Sequence, residues 1–227
     1  MTDVFIETST STGMDRRSMH RLEIPIVNGE NEHVGKLSAF TDATVADPKL
    51  IEMLTLWRNR HRQFFLTQFE ATVSRTRQWL ERTVLADHNR LMFFIHEGNE
   101  EPIGHIGVLR LDRPMVELDN MVRGRSGRNG QLMYQAEVAL LRWLFEVRRA
   151  SGVYLLVLTN NWMTINLHSS IGFKMIETSP LVRKELNGEV HLVIGATGGE
   201  LLAAKLGRME LLPDEFARIL PDRDMKC

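Results

Sequence analysis

One cysteine in 227 residues, Cys227, excludes an intrachain disulfide and a cysteine-built metal site. That scarcity fits a reducing, cytoplasmic setting, and no metal is expected. A nucleophile at that terminal position would have nothing to hold it in place. Long apolar runs are also missing. None approaches the ~18 residues of a membrane span, and the opening stretch from Met1 lacks the basic and apolar regions of a secretion signal. No membrane partner is expected. Charge of one sign is not in excess: 28 Lys and Arg face 29 Asp and Glu, for a net charge of −1. Such a chain has no global field to draw in nucleic acid. Repeats and linkers are absent too.

What remains is an ordinary globular composition, 43% hydrophobic and 25% charged. Leu22–Val27 and Val34–Phe40 read as a β-hairpin around Asn28-Gly29. Asp47-Pro48 starts a helix that places Leu50, Leu54 and Trp57 on one face. A second helix is expected over Thr72–Leu85, with Trp79 and Leu80 inward. Strands follow at Leu91–Ile95, Ile103–Leu111 and Met115–Asn120. A long helix over Gln131–Ala150 carries Met133, Ala136, Leu140, Leu144 and Val147 as its inner stripe. Val153–Leu158 is a buried strand, and Asn187-Gly188 joins two more. Gly199–Gly207 and Pro213–Leu220 are helix candidates. The expected organisation is an N-terminal arm over 1–21, one α/β domain over 22–195, and a helical extension over 196–227 packed on it.

Two features carry chemistry. Between the third strand and the long helix lies a glycine- and arginine-rich loop, Arg123–Gly130. A strand feeding such a loop and then a helix can hold a diphosphate against backbone N–H groups. Just before it, Glu117 and Asp119 stand two residues apart on a strand, hence on one face. Two carboxylates there suit a proton acceptor, or an anchor for a hydroxyl-rich ligand. They equally suit an ion pair with Arg123.

The stretch Asn161-Trp-Met-Thr164-Ile-Asn166-Leu167-His168-Ser-Ser-Ile-Gly172-Phe173 resembles, without a gap, the Asn-x-x-Ala-x-x-Leu-Tyr-x-x-x-Gly-Phe motif of the GCN5-related N-acetyltransferases, the GNAT superfamily. The loop is similar to their Gln/Arg-x-x-Gly-x-Gly/Ala, with Arg128 where the pattern has its middle glycine. The resemblance implies a GNAT fold: α/β, a mixed and mostly antiparallel twisted sheet with helices on both faces, an extra N-terminal hairpin and a C-terminal extension. It implies acetyl-CoA or another short acyl-CoA as co-substrate. The residues it assigns to that ligand are Met121, Val122, Arg123, Arg125, Gly127, Arg128, Asn129, Gly130, Asn161 and Asn166. It implies Glu117 or Asp119 as base and His168, in the tyrosine's place, as acid to the leaving thiolate.

The expected partner is a small primary amine, with a homodimer as an open option. Trp57-Arg58-Asn59, Trp79-Leu80, Ile103-Gly-His105 and Glu117–Gly124 are similar to a GNAT subgroup acting on nucleotide-linked amino sugars. For such an acceptor Arg58, Arg62, Phe65, His105 and Asn120 are the binding residues. Arginines and aromatics suit a diphosphate and a base, but also solvated cations and core rings. A protein N-terminus or another small amine is the alternative acceptor, and a silent acyl-CoA-binding regulatory domain the alternative function.

Overall fold

A computed structural model describes residues 22–219. The expected N-terminal arm lies outside the described residues. The described chain forms one sheet of ten strands, in the order β1-β2-β4-β5-β6-β7-β10-β8-β9-β3. Strands β1 (Glu23–Val27) and β2 (His33–Ala39) form the N-terminal hairpin. A short helix α1 (Asp42–Ala46) leads into α2 (Pro48–Arg60). The Asp47 side chain accepts the Lys49 N–H and Pro48 fills the first helical position, so α2 starts where the sequence says it should. A two-residue strand β3 (Thr67–Gln68) separates α2 from α3 (Val73–Trp79), which runs on into a wider π turn over Leu80–Val84.

Strands β4 (Leu91–Glu97), β5 (Pro102–Leu109) and β6 (Met115–Arg123) form the antiparallel centre. Leu91–Ile95 is apolar throughout because both its faces are covered. Leu91, Phe93 and Ile95 pack in the cluster beneath the long helix α4 (Leu132–Arg142). Met92 and Phe94 pack against Ile51, Leu54, Trp57, Leu80 and Val84 of the opposite layer. A strand buried on two faces reads as a run, and its alternation disappears.

Strand β7 (Gly152–Leu158) lies parallel to β6, the only parallel pair among the described residues. After it come α5 (Trp162–Ser170), β8 (Lys174–Leu186), β9 (Glu189–Ile194), β10 (Glu200–Leu211) and α6 (Pro213–Ile219). The turn between β8 and β9 places Asn187 and Gly188 at φ 53° and 78°, as a tight hairpin requires.

Two expectations are corrected. Gly199–Gly207 is no helix: it lies in and before β10, which fills the slot between β7 and β8. Two open strand edges outweigh the helical leaning of Leu, Ala and Lys there. Val147, expected on the inner stripe, is 59% exposed. The helix widens to a π turn over Trp143–Val147, which rotates the residues beyond it off the stripe. Among the described residues no helix is long and apolar enough to cross a membrane, and no cluster of His, Cys, Asp or Glu could hold a metal.

Candidate active site

The parallel pairing of β6 with β7 runs from Met115 opposite Gly152 to Leu118 opposite Leu155 and stops. Both strands continue, β6 to Arg123 and β7 to Leu158, without bonding each other. From Asp119 on, the β7-facing edge of β6 has no strand partner.

A bulge marks the same place. The β5–β6 register slips between His105, opposite Val122, and Gly107, opposite Asp119. Asn120 takes up the extra residue at φ 51°, which asparagine tolerates better than most side chains. Past the bulge, Val122 is buried in the α2 layer and Met121 packs on the α4 side. Neither side chain faces outward, so only their backbones can serve a ligand.

His105 is 5% exposed and stacks on Trp57 at 6.1 Å, with Phe40 edge-on at 6.2 Å. Its Nδ1 has no hydrogen-bond partner among the described residues. Burial pushes the imidazole down to about 4, although the Asn120 carbonyl opposes the shift. His105 is therefore a neutral ring under the bulge, enclosed between aromatics, and does not project toward an acceptor.

Trp57 also meets Gly124. A Cβ there would fall 1.9 Å from the indole, so only glycine lets the chain pass. The end of α2 grips the same turn: Arg60 donates to the Gly124 carbonyl at 2.6 Å, and His61 Nε2 lies 3.0 Å from the Arg123 carbonyl.

On the face shared with α2 and α3 stand the two half-buried carboxylates. Glu117 lies opposite Tyr154, Tyr154 opposite Glu210, and Leu156 opposite Arg208, and such pairs share a face. On one side are α2 and α3. On the other is a small apolar cluster of Leu158, Leu181, Leu192 and Leu206. The stretch between them is polar and partly exposed. Glu117 accepts the Tyr154 hydroxyl at 2.7 Å and Arg110 Nε at 3.2 Å. Burial first, and then Glu117, pushes Tyr154 up to about 12, so it stays a phenol and a donor. Asp119 lies 3.7 Å from Arg90 and accepts the Asn120 side-chain amide. Burial raises its carboxyl above the ordinary range, against the pull of Arg90. Tyr154, Arg90 and Arg110 carry no sequence signal, since only the strand register brings them here.

The glycine-rich loop is built differently from its sequence reading. Arg125 does not wait for an anion: its guanidinium donates to the carbonyls of Pro102 at 3.0 Å and Glu101 at 2.5 Å. Arg128 reaches Glu100. Arg123 alone of the three is exposed without such a partner for its side chain among the described residues. Asn129 accepts the Gln131 N–H at 2.9 Å and pairs with Gln135 at 2.7 Å. The N–H groups of Gly127 and Gly130 meet no protein acceptor among the described residues. Around Gly130 an added Cβ would find nothing within 4 Å, and Gln131 gives α4 no side-chain cap. Open space before an uncapped helix start fits an anion.

Asn161 caps α5 and is half-buried; Asn166 is exposed. His168 is 3% exposed, and its Nδ1 lies 2.6 Å from Oε1 of Glu137 on α4, itself fully buried. The pair ties α5 to α4. Among the residues expected to bind an acceptor, Arg58 is enclosed by Phe65 at 3.6 Å and Phe69 at 4.8 Å and donates to the Thr67 carbonyl at 2.7 Å. Burial, and then Arg75, lowers it to about 10. Arg58 and Phe65 thus serve each other, while Arg62 is exposed. Thr67 and Gln68 pair with His191 and Val190 of β9, and Arg75 bonds Glu189. Residues 61–72 therefore bridge from the helices over β4–β6 to the β8–β9 hairpin.

Residues 39–174 match the family model of the acetyltransferase (GNAT) domain. The spermidine N-acetyltransferase from Vibrio cholerae, solved with CoA and spermine, superposes with a TM-score of 0.60 at 15% identity, covering 80% of this chain and 96% of its own. RimL, a ribosomal L7/L12 alpha-N-protein acetyltransferase solved with CoA, gives 0.60 at 14% identity over 86% and 99%. A domain from Methanocaldococcus jannaschii gives 0.53 at 20% identity over 77% and 97%. At these identities the likeness is one of fold. The comparison with curated proteins gave no match.

The buried neutral His105 makes stability depend on pH. Its folded value of about 4 lies below the ordinary value of 6.5, so the unfolded chain binds the proton more readily. Stability from this group is whole above pH 6.5 and falls as pH drops from there toward 4, by up to about 1.4 kcal/mol per pH unit. Urea unfolding across that range should show the slope in the wild type and its loss in His105→Gln. Equal slopes would place the ring in a wetter setting.

Proposed function

Because the chain belongs to the GNAT acetyltransferase family, we propose that it transfers an acetyl or short acyl group from acyl-CoA directly to a small primary amine. The observation that carries this is the gap after Leu118 and Leu155, with a strand edge that has no strand partner and carboxylates at its floor. The loop amides of Gly127 and Gly130 and the uncapped start of α4 suit the diphosphate, with Arg123 as the nearby cation. Asn161 at the head of α5 and the unpaired edge of β6 suit the amide-bearing arm. Bound acyl-CoA supplies an acyl group activated as a thioester.

The chain's own part is to orient the amine and take its proton. Asp119 is the better base. Burial raises its carboxyl toward the range where a base works near neutral pH. Glu117 already accepts from Tyr154 and Arg110 and serves as a fixed negative charge that attracts an ammonium. A thiolate of pKa ~8.5 leaves without much help. His168, buried against Glu137, therefore acts by bracing α5 on α4. The peptide N–H groups of β6 beyond the bulge polarise the carbonyl.

The geometry favours an amine without a nucleotide. Arg58 and Arg60 are engaged by backbone carbonyls, and Phe65 is covered by Arg58. Of the three arginines at 58, 60 and 62, Arg62 alone has no carbonyl partner among the described residues.

Three measurements test this reading. Gly130→Val, whose Cβ would meet no protein atom within 4 Å, should weaken CoA binding at least tenfold, about 1.4 kcal/mol, by calorimetry. Unchanged affinity would move the diphosphate elsewhere. Asp119→Asn should lower kcat by about 10²–10⁴ with CoA affinity kept. In the wild type, kcat should fall as pH drops through the raised Asp119 value, and this limb should vanish in the mutant. Finally, thiol release should be compared for a polyamine, a free amino sugar, a nucleotide-linked amino sugar and an N-terminal peptide. A small amine should have the highest kcat/KM. A preference for the nucleotide-linked sugar would restore the sugar-nucleotide reading, and CoA binding without release for any amine would mark a silent module.

A further inference from the structure

Glu97 ends β4 with its side chain turned into the glycine-rich loop and is 9% exposed. Its carboxylate accepts the backbone N–H of Arg128 at 2.8 Å and of Asn129 at 2.6 Å. These amides, Arg128 first, outweigh burial and hold the carboxyl below the usual carboxylate range. A Cβ on Gly127 would fall 2.6 Å from Oε2 of Glu97, so the loop closes on this carboxylate only because glycine stands there. The β4–β5 turn adds three more grips: Arg125 on the Pro102 and Glu101 carbonyls, Arg128 on Glu100, and the N–H groups of Gly124 and Arg125 on the Ile103 carbonyl.

A carboxylate bound to consecutive amides does what a phosphate would do there. Two anions cannot share those donors without repelling each other. The amides of one loop are therefore divided. Arg128 and Asn129 face inward to Glu97, while Gly127 and Gly130 have no protein acceptor.

We propose that Glu97 is a positioning residue for the acyl-CoA site: it ties the Arg128 and Asn129 amides down so that those of Gly127 and Gly130 are presented to the diphosphate. This rests on the acyl-CoA reading above. The opposite role, in which the carboxylate competes with the diphosphate and must leave, is disfavoured by its position. It sits at the end of a strand whose neighbours are in the core, and both its oxygens are held.

The test is Glu97→Gln in the full chain. A glutamine can accept one of the two N–H groups but turns its own donors toward the other. The Kd for CoA should rise at least tenfold, and KM for acetyl-CoA in step, with kcat at saturation and the amine KM unchanged. Amide signals of Arg128 and Asn129 should move upfield in a nitrogen–proton correlation spectrum. Merely weakened folding would not produce that split. Unchanged CoA affinity with the two amides moved would overturn the proposal, as would tighter binding, which would mark a competitor. If Glu97→Gln does not fold, Glu97→Asp keeps the charge but shortens the reach, and the same split is expected. Failure of the acyl-CoA reading looks different: a wild type that does not bind CoA overturns both, whereas normal CoA binding by Gly130→Val moves the diphosphate off this loop and overturns the role of Glu97 alone.

Discussion

Two parallel strands stay paired only while nothing draws them apart, and here β6 and β7 part after Leu118 and Leu155. Every element of the site is placed by that parting. Parallel strands need a long crossover, and the crossover is the loop and α4. The loop is thus delivered to the open end of the gap, and α5 starts from the same end of β7. The Glu137–His168 contact holds the two helices together on one side of the sheet. Trp57, Arg60 and His61 hold the end of β6 on the other.

The bulge at Asn120 lets β6 leave its neighbour without leaving the sheet. It costs a ladder bond and brings a histidine under it that has no charge to offer. Aromatic packing around that ring compensates, and the result is a stiff floor with carboxylates at its margin. Rigid placement matters because reacting groups gain most from being held in register before the reaction begins.

Much of this was legible in local pattern. The strands at Leu91, Ile103 and Met115, the start of α2 at Asp47-Pro48 and the turn at Asn187-Gly188 each have a short-range cause. So does the shared face of Glu117 and Asp119, which follows from the two-residue period of a strand. What could not be read depends on register between distant segments. Tyr154 meets Glu117 across 37 residues of sequence, and Glu97 meets Asn129 across 32. Arginines announce an affinity for anions and carbonyls alike. Arg58, Arg60 and Arg125 all turned to carbonyls that no pattern marks. Strand β10 was missed because its reason is a vacant slot made by strands on either side of it.

That slot has a consequence for how the molecule is made. β8 and β9 leave the ribosome before β10, yet they join the rest of the sheet only through it. Until Leu211 has been synthesised, β7 and β8 each present an unpaired edge, and the nascent chain carries two half-sheets that can pair wrongly. The gap between β6 and β7 lies on the half that is finished early, while the β8–β9 hairpin is fixed last.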